Sequence, residues 1–151
     1  MRARSVPAAA GIDATRRSIL RLRLAEVLAC APALERGMPG PLHDLRIACK
    51  RLRYALELHR ADLAVPARAA ESVMAELQDL LGELHDCDVL LALVTRGADS
   101  GAARMIARDR GRLLARVRGR WRAAFSAGGA LDALAAELGF GSPQGAPVVV
   151  P

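Results

Sequence analysis

Residues 73–94 read Val73-Met74-Ala75-Glu76-Leu77-Gln78-Asp79-Leu80-Leu81-Gly82-Glu83-Leu84-His85-Asp86-Cys87-Asp88-Val89-Leu90-Leu91-Ala92-Leu93-Val94. Val73, Leu77, Leu80, Leu84, Cys87, Leu91 and Val94 follow one another by alternating steps of four and three. That spacing draws one apolar seam along a helix, the pattern by which helices pack into bundles. The seam predicts a helix from Pro66 to just before Gly97. It sets the fold class as all-α.

The same reading extends in both directions. Upstream, Pro41 opens a helix that runs to about Leu63, with Leu45, Ala48, Cys49, Leu52, Ala55 and Leu56 as its apolar stripe. Proline suits a first helical turn because its missing N–H has no intrahelical partner there. Before it, Asp13 is the expected N-cap of a first helix that stops at Ala29-Cys30-Ala31-Pro32, and Glu35 to Gly40 is a linker. Downstream, a fourth helix spans Ser100 to Ala127, with Ile106, Leu113, Val117, Trp121 and Ala124 on its apolar side. It stops at Gly128-Gly129. A short fifth piece runs from Leu131 to Leu138, closed by Gly139. Short connections make neighbours antiparallel, so the expected architecture is an antiparallel four-helix bundle of long helices. The expected division is a flexible N-terminus (1–11), a helical domain (12–127), and a short helix with a loose tail (128–151).

Composition supports one globular domain. The chain has 151 residues, 52% hydrophobic and 25% charged. It is long enough to bury a core and too apolar for a disordered chain. No uninterrupted apolar run reaches the roughly 18 residues of a membrane helix. The basic start lacks the apolar stretch of a secretory signal. Cys30, Cys49 and Cys87 are odd in number and widely spaced, which argues against a disulfide framework and fits a reducing cytosol. A cytoplasmic location is expected.

The formal charge is +6, with 22 Lys+Arg against 16 Asp+Glu. Only Lys50 is lysine, a bias that codon usage in a G+C-rich genome also produces. The distribution says more than the total. His43 to Arg60 carries five cations and two anions, a net +3. Glu71 to Asp88 carries six anions and no cation, and Arg104 to Arg122 carries eight arginines and one aspartate. Arg104, Arg108, Arg112, Arg116 and Arg120 repeat at i,i+4. Each such like-charge step costs about 0.2–0.5 kcal/mol unless an anion neutralises it. Arg110 falls on the apolar side instead and is expected either to pair with the acidic helix or to snorkel. His43, Arg46, Lys50 and Arg53 share one face of the second helix, with Tyr54 at its edge. Two basic faces that converge would form a groove whose field concentrates a polyanion.

Leu42-His43-Asp44-Leu45-Arg46-Ile47-Ala48-Cys49-Lys50-Arg51-Leu52-Arg53-Tyr54 resembles the first signature block of the CHAD domain, the conserved-histidine α-helical domain. Leu77-Gln78-Asp79-Leu80-Leu81-Gly82-Glu83-Leu84-His85-Asp86-Cys87-Asp88-Val89 is similar to its second block. The two blocks with the stretch between them span about a third of the chain, and the helix pattern extends the similarity to residues 12–127. The resemblance implies an all-helical module that binds inorganic polyphosphate in a basic channel and associates with polyphosphate granules. It implies binding roles for His43, Arg46, Lys50, Arg51, Arg53 and Tyr54, with Gln78, Gly82 and Asp86 in support. Arg104, Arg108, Arg112 and Arg116 match only the family's habit of basic helices. A full family member carries two similar bundles with the channel between them. This chain carries one copy of each block, in the style of the second half. The resemblance therefore implies one of two things: a second copy of the chain, or a partner half-domain, supplies the other bundle, or the half-domain binds weakly alone. Many relatives are fused to a triphosphate-tunnel barrel; no β-barrel segment is expected in these 151 residues, so that barrel's phosphohydrolase activity is not carried over.

Side-chain chemistry leaves these alternatives. His43 is either a surface histidine of the first turn or a phosphate donor. Gln78 serves either phosphate or a neighbouring helix, Gly82 a close helix approach, and Asp86 the orientation of a channel arginine. His59 belongs at the core edge, and His85 is unassigned. The pairs His43-Asp44 and His85-Asp86 suggest, as an alternative, an HD-type metal-dependent phosphohydrolase. Against it, adjacent helical residues point about 100° apart. Non-specific nucleic-acid binding is a further alternative, weakened by an aromatic content of 3%, which leaves little for bases to stack on. No nucleotide-binding glycine loop or activated nucleophile occurs. The expected protein is a binding module, with no enzyme activity, metal or cofactor.

Overall fold

The computed structural model describes residues 8–95 and 100–141. All regular structure among them is helical: α1 (Ala8–Cys30), α2 (Pro32–Arg36), α3 (Pro39–Leu58), a 3-10 turn (Arg60–Asp62), α4 (Val65–Val94), α5 (Ser100–Phe125) and α6 (Ala130–Glu137). No helix among the described residues is long and apolar enough to cross a membrane.

Several boundaries differ from the sequence reading. α1 is already helical at Ala8, ahead of the expected start, so Asp13 is not its cap. Asp13 instead lies inside the helix and pairs with Arg16, which also reaches Asp62. The expected linker contains a helix: Pro32 opens α2 and Gly37 closes it, with its N–H donating to the Ala33 carbonyl at 2.9 Å. Gly37 holds φ +64°, and a β-carbon there would sit 3.0 Å from Leu114 Cδ2. Turn geometry and a close helix approach thus both call for glycine. α3 begins at Pro39 and stops at Leu58, where the 3-10 turn replaces the last expected turn. α5 ends at Phe125, two residues before the expected Ala127. α6 matches the short fifth piece, and Gly139 ends it at φ +76°. Residues 1–7 and 142–151, with the expected tail, lie outside the described residues.

α1 packs on α3, α3 on α4, and α4 on α5, while α6 lies against α4 and α5. The connection between α3 and α4 is too short to run back along a 30-residue helix of about 45 Å. The packed partners must therefore be antiparallel. One apolar core joins all six helices: Leu20, Leu24 and Val27, Leu34 of α2, Leu45, Leu52 and Leu56, Met74, Leu77 and Leu84, Val117, and Leu131 and Leu134. Burying each leucine contributes about 1.5–3 kcal/mol.

The α4 seam is only partly a core seam. Val73, Leu77 and Leu84 are buried, but so are Met74 and Leu81, while Leu80, Cys87, Leu91 and Val94 are half-buried. The N-terminal half of α4 is enclosed by α3, α5 and α6, which widens its apolar face. The expected 4-3 seam describes a two-sided contact and misses that.

Candidate functional site

Two contacts fix how α3 and α4 align. The His43 and His85 rings lie 5.3 Å apart, tilted by 46°. One turn along, the Arg46 guanidinium lies over Gly82, with Nε 3.7 Å from where a β-carbon would stand. The residue numbers rise on one helix as they fall on the other, as antiparallel packing demands. Continued by one turn, this register sets Lys50 level with Gln78. The basic face of α3 and the Gln78-Gly82-His85 stripe of α4 are thus the two walls of one groove.

The floor of the groove holds unsatisfied polar atoms. Arg46 Nε, Arg53 Nε and Gln78 Oε1 are buried and have no hydrogen-bond partner. Buried polar groups are normally paired, and an unpaired one costs about 1–3 kcal/mol. The rim is wet and cationic. His43, Lys50 and Tyr54 are exposed. The Tyr54 ring carries the Arg53 guanidinium at 5.0 Å and the Lys50 ammonium at 5.8 Å, contacts that hold both cations along the groove. Glu57 stands 3.6 Å from Arg53 Nε and closes one end. Gly82 serves the site differently from the expected helix crossing: it leaves space for the Arg46 side chain.

Other expected residues are placed elsewhere. Arg51 is exposed but sits about 140° around α3 from Arg46, away from the side that meets α4. Asp86 is exposed and has no ion-pair partner among the described residues, so it orients none of the described arginines. The α5 ladder does not join the groove. α3 and α5 each pack on α4, and the acidic helix separates the two basic ones. The ladder also winds, because each i,i+4 step turns it by about 40°. Arg112 pairs with Asp109 at 3.2 Å, Arg120 with Glu76, and Arg104, Arg108 and Arg116 are exposed. Arg110 pairs with Asp88, as expected, and also donates to the Gly37 carbonyl at 2.7 Å. Arg118 donates to the Leu34 and Glu35 carbonyls at 2.8 and 3.2 Å, which satisfies the free C-terminal end of α2.

His85 is the groove residue that sequence reasoning left unassigned. The signal was present: Gln78, Gly82 and His85 recur at i, i+4 and i+7 on one face of α4. His59 Nε2 is buried without a partner at the far end of α3. Among the described residues, no group of three or more His, Cys, Asp or Glu side chains is placed to hold a metal ion. Burial pushes the Cys49 thiol up to about 12, with the nearby Cys30 adding to the shift. Burial also raises Cys30 and Cys87, reinforced by Asp44 and Glu26 for the first and by Asp109, Asp88 and Asp86 for the second.

The groove is built from the two sequence blocks that resemble the CHAD signature, and a model of that family matches residues 2–95. The chain belongs to the CHAD domain family. No curated protein and no solved structure matches it. The matched segment covers α1 to α4 and ends before α5.

Proposed function

We propose that the protein binds inorganic polyphosphate, or a similarly dense linear polyanion, along the α3–α4 groove, and that it is a binding module without turnover. The observation that carries this reading is the line of Arg46, Lys50 and Arg53 along one face of α3, with His43 and Tyr54 at its rim and with Arg46 Nε and Gln78 Oε1 buried beneath it without a hydrogen-bond partner. An anion with oxygens on every repeat satisfies the two guanidinium donors, and the Gln78 amide can turn its N–H toward it. Arginine offers forked donors matched to phosphate oxygens. Apart from His43 and His85, whose rings face each other, Tyr54 is the one aromatic side chain along the groove, and it already carries two cations, so the groove favours phosphate contacts over base stacking. In a cell that stores polyphosphate, such a protein is expected on the granules.

The test compares long-chain polyphosphate with duplex DNA at about 0.15 M salt, where the screening length is about 8 Å. Polyphosphate should bind more tightly, and its affinity should fall steeply with added salt. Equal or tighter DNA binding rejects the reading. Phosphoester turnover with Mn or Mg that disappears in both His43→Ala and His85→Ala would reject the absence of catalysis.

A further inference from the structure

The outer face of the α4–α5 layer is left uncovered and carries two kinds of surface. Near the C-terminal end of α4, Val89, Leu90 and Leu93 are 45%, 48% and 59% exposed, and Met105 of α5 is 63% exposed. The α3–α4 register explains the exposure: α3 begins at about the level of Val89, so the last turns of α4 extend past it. Further along α4, Asp79, Glu83 and Asp86 are exposed on one stripe, with no ion pair among the described residues. Beside that stripe, Arg116 and Arg112, the latter also held by Asp109 of its own helix at 3.2 Å, are exposed on the outer side of α5.

The heights of these groups are set by two contacts. Arg120 pairs with Glu76 and Arg110 with Asp88, which fixes the antiparallel offset of α4 and α5. At that offset Arg116 is level with the Asp79–Glu83 turn, Arg112 with Asp86, and Met105 with the Leu90–Leu93 turn. A two-fold axis parallel to the helices, lying over the seam between α4 and α5, preserves every height. It lays α5 of one copy over α4 of the other, twice. Basic groups then face acidic ones, and Met105 faces the exposed leucines, in both halves of the contact. A two-fold interface requires this self-complementarity.

We infer that this face is the contact surface for a second copy of the chain, in a parallel, two-fold dimer that pairs Arg112 and Arg116 with Asp79, Glu83 and Asp86 of its partner. The apolar end supplies the dry part of the interface, and the charges set its register.

The design allows a charge-exchange test. Variant one carries Arg112→Glu and Arg116→Glu; variant two carries Glu83→Arg and Asp86→Arg. All changes are at exposed helical positions, and circular dichroism checks that each variant stays folded. Light scattering in buffer free of polyanions should give twice the chain mass for the wild type and the chain mass for each variant alone. Mixing the two variants should restore the doubled mass, because each α5 then meets an α4 of opposite charge. A monomeric wild type overturns the inference. So does a dimer that persists in either variant, or a mixture that remains monomeric.

Discussion

Arg46 of α3 lies across Gly82 of α4, and its Nε is 3.7 Å from the place a β-carbon at residue 82 would occupy. That separation is an ordinary van der Waals contact. Alanine therefore fits, and it removes the cost of glycine in a helix, about 1 kcal/mol. Gly82→Ala is expected to raise stability by up to that amount in denaturant unfolding, with polyphosphate affinity nearly unchanged. Gly82→Leu is expected to displace Arg46 and weaken binding by about tenfold, equivalent to about 1.4 kcal/mol. A destabilised Gly82→Ala variant would show that the glycine serves the backbone instead.

Arg51 and Arg53 offer a paired control. Each removes one positive charge when replaced by alanine, yet only Arg53 faces the groove. Arg53→Ala and Arg46→Ala are each expected to lower polyphosphate affinity by about five- to thirtyfold, the loss of a charge-assisted contact worth about 1–2 kcal/mol. Arg51→Ala should cost less than about threefold at a salt concentration that screens beyond about 8 Å. Equal losses at residues 51 and 53, read by titration calorimetry, would place the anion elsewhere on α3.

Cys49 is buried, and its thiol is pushed up to about 12 from an ordinary 9.0. The thiol is neutral in the folded chain, so the shift contributes stability in full below about pH 9 and loses it as pH rises toward 12. Across that window, wild-type stability should fall relative to Cys49→Ala by up to about 1.4 kcal/mol per pH unit. Equilibrium unfolding at a series of alkaline pH values measures the difference. At pH 8, Cys49 should resist alkylation until the protein unfolds.

Leu77 is fully buried where α4 meets its neighbours. Leu77→Ala should destabilise the protein by about 2–5 kcal/mol, from lost burial and the cavity left behind. Chemical denaturation of the two proteins compares them directly.

Arg110 ties three elements together through Asp88 and the Gly37 carbonyl. Arg110→Ala strands a half-buried carboxylate and a carbonyl, and should cost about 1–3 kcal/mol. Hydrogen exchange should quicken first in α2, which also depends on Arg118 of the same helix.

Much of this architecture was legible in the sequence, and the residues show where legibility ended. The helices and their order follow from apolar spacing and from prolines at first turns, both local signals. Asp13 failed as a cap because the alanines before it extend α1. Arg110 could be paired with the acidic helix because it interrupts an apolar stripe. The placement of the α5 ladder could not be read, because it depends on which helix lies between α3 and α5. Nor could the meeting of His43 with His85, although both histidines were in view: periodicity gives the face of a residue, and only packing gives the face opposite it.

The acidic helix α4 stands between the two basic ones, and that position has a consequence for stoichiometry. The cationic strip from His43 to Tyr54 spans about 16 Å of helix. An anion that leaves it toward α5 meets the acidic stripe of Asp79, Glu83 and Asp86 on α4, which in the inferred dimer is closed off by the α5 of the second copy. The strip therefore engages a fixed length of polymer, however long the polymer is. Past that length, a longer chain gains no grip on one molecule. It gains occupancy instead, as more copies thread onto it like beads, and the number bound per chain becomes a ruler for polymer length.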